Sequence, residues 1–184
     1  ARWSVYKDGP ELVTLRWGLV PHWSKDPTRG PRPINARAET VSEKPFFRDA
    51  FRASRCLVPA DGFFERRTEG ARKQPYYFRL KSGEPMFFAG LWSRWRGQGQ
   101  ILETFTIIVT NPNRLAALIH NRMPAILPPE LYLDWLDPQA PLQVLQGYLA
   151  PYSAREMEGF PVSTAVGKPQ NKGADVITPT GPPI

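Results

Sequence analysis

Glu65 closes the run Ala60-Asp61-Gly62-Phe63-Phe64-Glu65, a carboxylate set among aromatic residues in a segment of strand composition. Burial there disfavours the ionised form and brings a glutamate toward neutrality, where one group both donates and accepts a proton. The alternative is an exposed strand-end carboxylate paired with Arg66 or Arg67. His120 ends a short apolar pattern and precedes Asn121-Arg122-Met123-Pro124. Its imidazole therefore sits at a loop, either facing a cleft as a proton-transfer group or merely packed or solvated. Asn35-Ala36-Arg37-Ala38-Glu39 sets an amide, a guanidinium and a carboxylate at alternate positions. In an extended chain all three share one side and form a polar reading edge. In a turn, Asn35 and Glu39 serve only as caps for backbone groups.

Several other chemistries drop out. Cys56 is the one cysteine and stands in the apolar stretch Arg55-Cys56-Leu57-Val58, so it reads as a buried packing thiol and offers no intramolecular disulfide. With His22 and His120 as the two histidines, no zinc-ligand spacing occurs, and no metal is expected. Gly97-Gln98-Gly99 is the nearest approach to a phosphate-cradling glycine loop and lacks the third glycine, so no nucleotide cofactor is expected either. No internal Ser-His-Asp or Cys-His arrangement supports a general peptidase.

The charge balance points to a polyanion. Twenty-four Lys and Arg stand against 17 Asp and Glu in 184 residues, a formal net charge of +7. Arginine dominates the clusters Arg48-Arg52-Arg55, Arg66-Arg67-Arg72 and Arg94-Arg96, and aromatics such as Phe46, Phe51, Phe64, Trp92 and Trp95 interleave with them. That mixture fits a platform for single-stranded nucleic acid, while a merely solvated basic face is the bland reading. The longest strongly apolar stretch, Pro85 to Trp92, is far too short to span a membrane, and the first residues lack the apolar core of a signal peptide. A cytoplasmic, soluble protein is the expectation.

The elements that must position these groups read as one α+β domain, a curled β-barrel-like sheet with several short flanking helices. Glu11 to Val20 has strand composition, Lys25 to Pro33 is a Pro- and Gly-rich loop, and Glu39 to Ala53 approximates an amphipathic helix. Strands are expected over Arg55 to Pro59, Gly62 to Arg66, Tyr76 to Leu80, Met86 to Leu91 and Leu102 to Val109, with hairpin turns at Glu69-Gly70 and Ser82-Gly83. A short helix capped by Asn111 or Asn113 runs into His120. Helices over Pro129 to Leu136 and Leu142 to Leu149 precede an irregular tail from Pro151.

Five ordered segments carry a resemblance: RWGLVPHW (16–23), PINARAET (33–40), CLVPADGFFE (56–65), IHNRMPAIL (119–127) and PVSTAVGKPQNKG (161–173). Together they resemble the SOS response-associated peptidase (SRAP) family over nearly the whole chain. The resemblance implies a monomeric protein of the DNA-damage response, nucleoid-associated if bacterial, whose partner is single-stranded DNA with abasic sites. In that family a cysteine next to the initiator methionine becomes the N-terminus by autoproteolysis, and its amine and thiol close a thiazolidine on the ring-opened sugar. Carried over, Glu65 transfers the proton in methionine removal and ring opening, His120 stabilises or protonates the sugar oxygen, and Asn35 positions the terminal cysteine. Arg37, Trp17 and Arg66 line the DNA, although Arg66 stands where many relatives have tryptophan. The 184 residues start at Ala1 without a Met-Cys pair, so the expectation is a single SRAP-like domain over 1–184 that lacks its N-terminal segment. A non-enzymatic single-strand binding module is the alternative.

Overall fold

The computed structural model describes residues 2–4, 9–70 and 72–184. Twelve strands occur among them: β1 (Arg2–Ser4), β2 (Gly9–Glu11), β3 (Arg16–Trp17), β4 (Asn35–Arg37), β5 (Arg55–Ala60) and β6 (Phe63–Glu69). They continue with β7 (Arg72–Leu80), β8 (Met86–Gly97), β9 (Gln100–Thr110), β10 (Met123–Pro124), β11 (Ile126–Leu127) and β12 (Met157–Pro161). Three short α-helices accompany them, α1 (Arg48–Ala53), α2 (Tyr132–Leu136) and α3 (Leu142–Gly147). The chain folds as two compact units, the first made of residues up to Pro59 with Phe87–Thr110 and Pro124–Ala150, the second of Ala60–Met86, Asn111–Met123 and Pro151–Ile184.

The larger sheet runs β10-β9-β8-β5-β1-β2, with β11 on β8 and both β3 and β4 on β9. Its path does not close, so the α+β class holds while "barrel-like" describes it only loosely. β8 and β9 are its long strands, and both alternate in burial along their paired middle, although residues 88–91 and 106–108 are buried throughout. Leu91, Ser93 and Trp95 point inward from β8, and Thr104, Thr106 and Ile108 point inward from β9. Their hairpin closes at Gln98 (φ 52°) and Gly99 (φ 71°), two successive left-handed residues between the paired Gly97 and Gln100. That is the tight turn whose twist matches the strands, so the Gly97-Gln98-Gly99 segment builds a hairpin rather than a ligand loop.

Leu57, Ala89, Leu91, Ile108 and Leu127 form the inner surface of this sheet, and Phe51 of α1, Trp135 of α2 and Leu145 of α3 cover it. Each large side chain so buried contributes about 1.5–3 kcal/mol relative to exposure. Arg55 lies within this core at 3% exposure. Its guanidinium donates to the carbonyls of Phe51 (2.7 Å) and Arg52 (2.7 Å) at the end of α1, and to those of Trp135 (2.7 Å) and Asp137 at the end of α2. One cation thus satisfies the orphan acceptors of two helix C-termini, which favour positive charge. Burial pushes the Arg55 pKa down from its usual value, against the opposing pull of Asp137. Arg55 is therefore a helix cap, not part of a phosphate-binding cluster with Arg48 and Arg52.

The smaller sheet has the order β12-β7-β6 and belongs to the second unit. Gly70 (φ 60°) sits in the turn from β6 to β7, as the Glu69-Gly70 pair predicts. The Ser82-Gly83 pair also turns the chain, with Gly83 at φ 76°, but it joins no hairpin: β7 pairs with β6 and β12, whereas β8 belongs to the other sheet. A turn residue sets the local bend and carries no information on which strand comes next in the ladder. Tyr77, Phe160 and Val162 form the core on one side, with Val166 and Ile177 packed against them.

Three further expectations are corrected. The span Glu11 to Val20 holds only the end of β2 and the two residues of β3, because both are short edges of the sheet. Glu39 to Ala53 divides into a 3-10 turn at Ala38–Thr40 and α1, interrupted before Pro45, which lacks the N–H that a continuous helix requires. The tail after Pro151 is not irregular throughout, since β12 pairs with β7 along five residues from Met157↔Leu80 to Pro161↔Tyr76.

Candidate functional site

Glu65 stands in β6 directly across from Tyr76 of β7. By strand alternation Phe63 and Arg67 flank it on the same face. Phe63 is buried and stacks on Phe78 at 5.0 Å, while the Arg67 guanidinium lies 5.3 Å from the Tyr76 ring centroid. The carboxylate therefore has aromatic neighbours on two sides and retains 28% side-chain exposure. Burial pushes its pKa up from the ordinary carboxylate value, and this outweighs the downward pull of a charged His120 and of a hydrogen bond from the Arg66 backbone N–H. Glu65 is half-buried rather than an exposed strand-end carboxylate.

His120 comes from the 111–123 segment of the same unit, and its Nδ1 lies 3.7 Å from Glu65 Oε1. The same nitrogen is 3.2 Å from the Arg122 N–H nitrogen and 3.3 Å from the Arg122 carbonyl oxygen. With its proton on Nε2, the ring accepts from the Arg122 N–H. With a proton on each ring nitrogen, it is cationic, donates from Nδ1 toward the Arg122 carbonyl and faces Glu65 as an ion-pair partner. The site thus holds a carboxyl raised toward neutrality beside an imidazole whose protonation state is read by one peptide group. Such a pair suits proton transfer to and from an oxygen atom.

Asn35, the third residue expected in the catalytic set, and the expected DNA contacts Trp17 and Arg37 belong to the first unit and share one face of the large sheet. Trp17 pairs with Phe105, Asn35 with Ile107 and Arg37 with Val109, all along β9 in parallel register. Paired residues share a face, and successive odd positions of β9 keep it, so the three side chains form one row. Asn35 and Arg37 are exposed, while Ala36 between them is buried at 1%. The extended reading of this segment holds for Asn35-Ala36-Arg37 only: the chain turns into the 3-10 segment Ala38–Thr40, so Glu39 leaves the row that the alternate spacing placed it in.

Trp17 is 51% exposed, stacks on Phe105 at 6.2 Å with an interplanar angle of 11°, and donates its indole N–H to the Ile34 carbonyl at 2.8 Å. On the far side of Phe105, β8 brings Trp92 into register, and the Arg94 guanidinium lies 5.8 Å from the Trp92 ring centroid. Arg94 is held there by Glu103 at 2.7 Å. Phe105 is the residue that sequence reasoning missed. Its outward position is readable from the alternation of β9, but its place between two tryptophans depends on strand pairing, which no local pattern carries.

Arg66 is exposed and belongs to the second unit, with its Nη2 3.1 Å from where a Cβ on Gly167 would stand. Cys56 is buried at 3%, and its Sγ would lie 2.9 Å from a Cβ on Gly90, so the thiol is a packing group. No helix among the described residues is long and apolar enough to cross a membrane.

This fold, carrying an acid and imidazole pair in one unit and an aromatic and polar row in the other, has clear relatives. The chain belongs to the SOS response associated peptidase (SRAP) family, whose sequence profile matches residues 3–169. It is 44% identical over 179 residues to abasic site processing protein YoqW of Bacillus subtilis, an alignment covering 95% of this chain and 80% of that protein. It is 32% identical to abasic site processing protein YedK of Escherichia coli, covering 91% and 75% of the two chains. Among solved structures, a protein from Bacteroides thetaiotaomicron superposes with a TM-score of 0.85 at 35% identity, covering 90% of this chain and 75% of that one.

Proposed function

We propose that this protein recognises abasic sites in single-stranded DNA and captures them covalently. The observation that carries the reading is the Glu65 carboxyl, raised by burial, 3.7 Å from His120 Nδ1. An abasic sugar is mostly a closed hemiacetal. Opening it moves a proton off the anomeric hydroxyl and onto the ring oxygen, work for one group that accepts and another that donates. Glu65 and His120 take those two parts. Asn35 is assigned the positioning of the nucleophile, and Trp17, Arg37 and Arg66 the contact with the strand. The basic surplus and the Trp17-Phe105-Trp92 row support single-stranded DNA as the partner, through phosphate attraction and base stacking.

The nucleophile that family resemblance implies is an N-terminal cysteine of the gene product, freed by removal of its initiator methionine. Its amine adds to the aldehyde and expels one water to give an imine. The thiol then adds across the C=N bond and closes a thiazolidine, the thiol proton ending on nitrogen. An α-amine of pKa about 7.7–8.0 supplies enough neutral form for the first addition.

The test is a denaturing gel of the gene product, expressed from its native start codon, with a single-stranded oligonucleotide carrying one abasic site. A covalent band that Glu65→Gln slows is the expected result. Ordinary salt-sensitive binding to intact and abasic strands alike, without any band, favours a non-enzymatic binding module.

A further inference from the structure

The 111–123 segment has little regular structure of its own, only the three-residue turn Ala116–Leu118, yet it must hold His120 within a few tenths of an ångström of its partners. Asn113 supplies what the backbone does not. It is a polar residue at 9% exposure, and every polar group of its side chain is engaged. Its Oδ1 accepts from the N–H of Leu115 (3.1 Å) and of Ala116 (2.9 Å). Its Nδ2 donates to the Tyr152 carbonyl at 2.8 Å and contacts the Met157 sulfur at 3.4 Å. Its backbone N–H reaches the Met123 sulfur at 3.2 Å, at the far end of the same segment.

These contacts lead to the imidazole in two steps. Asn113 Oδ1 fixes the Ala116 peptide, and the Ala116 carbonyl accepts from the His120 N–H at 2.9 Å. The Asn113 carbonyl adds a parallel tie by accepting from Ala117 at 2.9 Å. Meanwhile the sulfur contact joins the start of the segment to Met123, which is fully buried and follows Arg122 directly. Arg122 is the peptide that reads His120 Nδ1. Asn113 therefore anchors both sides of the imidazole: the backbone that carries it and the strand end next to the group it hydrogen-bonds.

We propose that Asn113 is a positioning residue that sets the tautomer and orientation of His120, an inference that rests on the proton-transfer role given to His120 above. Aspartate keeps both Oδ acceptor bonds and loses the donation to Tyr152, whereas alanine loses both. The experiment compares the wild-type protein with Asn113→Asp and Asn113→Ala by two readouts. One is the imidazole nitrogen NMR shifts of His120 at about pH 8, where the neutral ring reports its tautomer. The other is the rate of covalent capture of an abasic oligonucleotide.

In the wild type, one tautomer is expected to dominate, with Nδ1 accepting from Arg122. In Asn113→Ala the two nitrogen shifts should converge toward those of a freely exchanging imidazole and capture should slow at least tenfold, with Asn113→Asp between the two. Wild-type His120 shifts in a folded Asn113→Ala protein overturn the proposal, whatever the loss of thermal stability. Should the alanine variant fail to fold, wild-type shifts in Asn113→Leu, which keeps the volume and removes the acceptor for Leu115 and Ala116, do the same. Because the NMR readout needs no DNA, altered shifts without any capture by the wild type uphold the positioning and reject the proposed chemistry.

Discussion

The Glu65 carboxylate and the His120 imidazole meet at 3.7 Å across a strand and a loop of one unit, with the carboxyl raised by burial and the imidazole held by the Arg122 peptide. Burial is the largest cause of the shift at Glu65, ahead of the opposing pull of His120. The aromatic wall of Phe63, Phe78 and Tyr76 does that work by limiting the water around one oxygen.

Glu65→Gln keeps shape and removes the titrating group. General acid and base contributions of about 10²–10⁴ set the scale, so abasic-site capture should slow at least a hundredfold. Binding to an intact single strand should stay within about twofold. A gel-based time course and a fluorescence titration measure the two, and unchanged capture refutes the role.

The raised pKa also makes stability depend on pH. The folded state holds the Glu65 proton to higher pH than the unfolded state does, so its stabilising contribution is complete below the ordinary carboxylate pKa. It is lost as pH rises through the raised value. Urea unfolding at a series of pH values should therefore show wild type losing stability relative to Glu65→Gln as pH rises above the ordinary carboxylate range. A constant difference contradicts the assignment.

Arg55 holds the ends of α1 and α2 through four carbonyls. Arg55→Ala leaves those acceptors buried without their donor and should cost about 3 kcal/mol or more. Arg55→Lys, with no planar fork to reach two helices, should recover only part. Thermal melts measure the loss, while DNA affinity of the folded fraction should not change.

Trp17→Ala and Phe105→Ala each remove part of the exposed row, and stacking of about 1–3 kcal/mol per base predicts about a fivefold or greater loss of single-strand affinity for Trp17→Ala. Arg37→Ala should instead flatten the salt dependence, lowering the slope by about 0.7 per lost phosphate contact. Titrations at several salt concentrations separate the two effects.

Much of this was legible in the residues. The carboxylate among aromatics, the histidine at a loop, and the alternate spacing of Asn35 and Arg37 all stated their chemistry locally, and strand content followed from β-branched and aromatic runs. What stayed hidden depends on pairing between distant segments. Phe105 gains its neighbours only when β3 and β8 flank β9, and Ser82-Gly83 gives no hint that the chain is passing from one sheet to the other. Arg55 read as one more surface cation because it follows Arg48 and Arg52 in the sequence. Its partners at Trp135 and Asp137 come from the far end of the unit.

The position of β12 in the chain bears on when activity can begin. β7 is the middle strand of the small sheet, and its second partner, Met157–Pro161, lies far downstream of it in the chain. Asn113 likewise waits for Tyr152 and Met157 before its side chain is satisfied. During synthesis, then, Glu65 and His120 leave the ribosome well before the elements that fix them. A nascent chain therefore exposes the Glu65 carboxyl and the His120 imidazole before the segment that completes their surroundings has emerged.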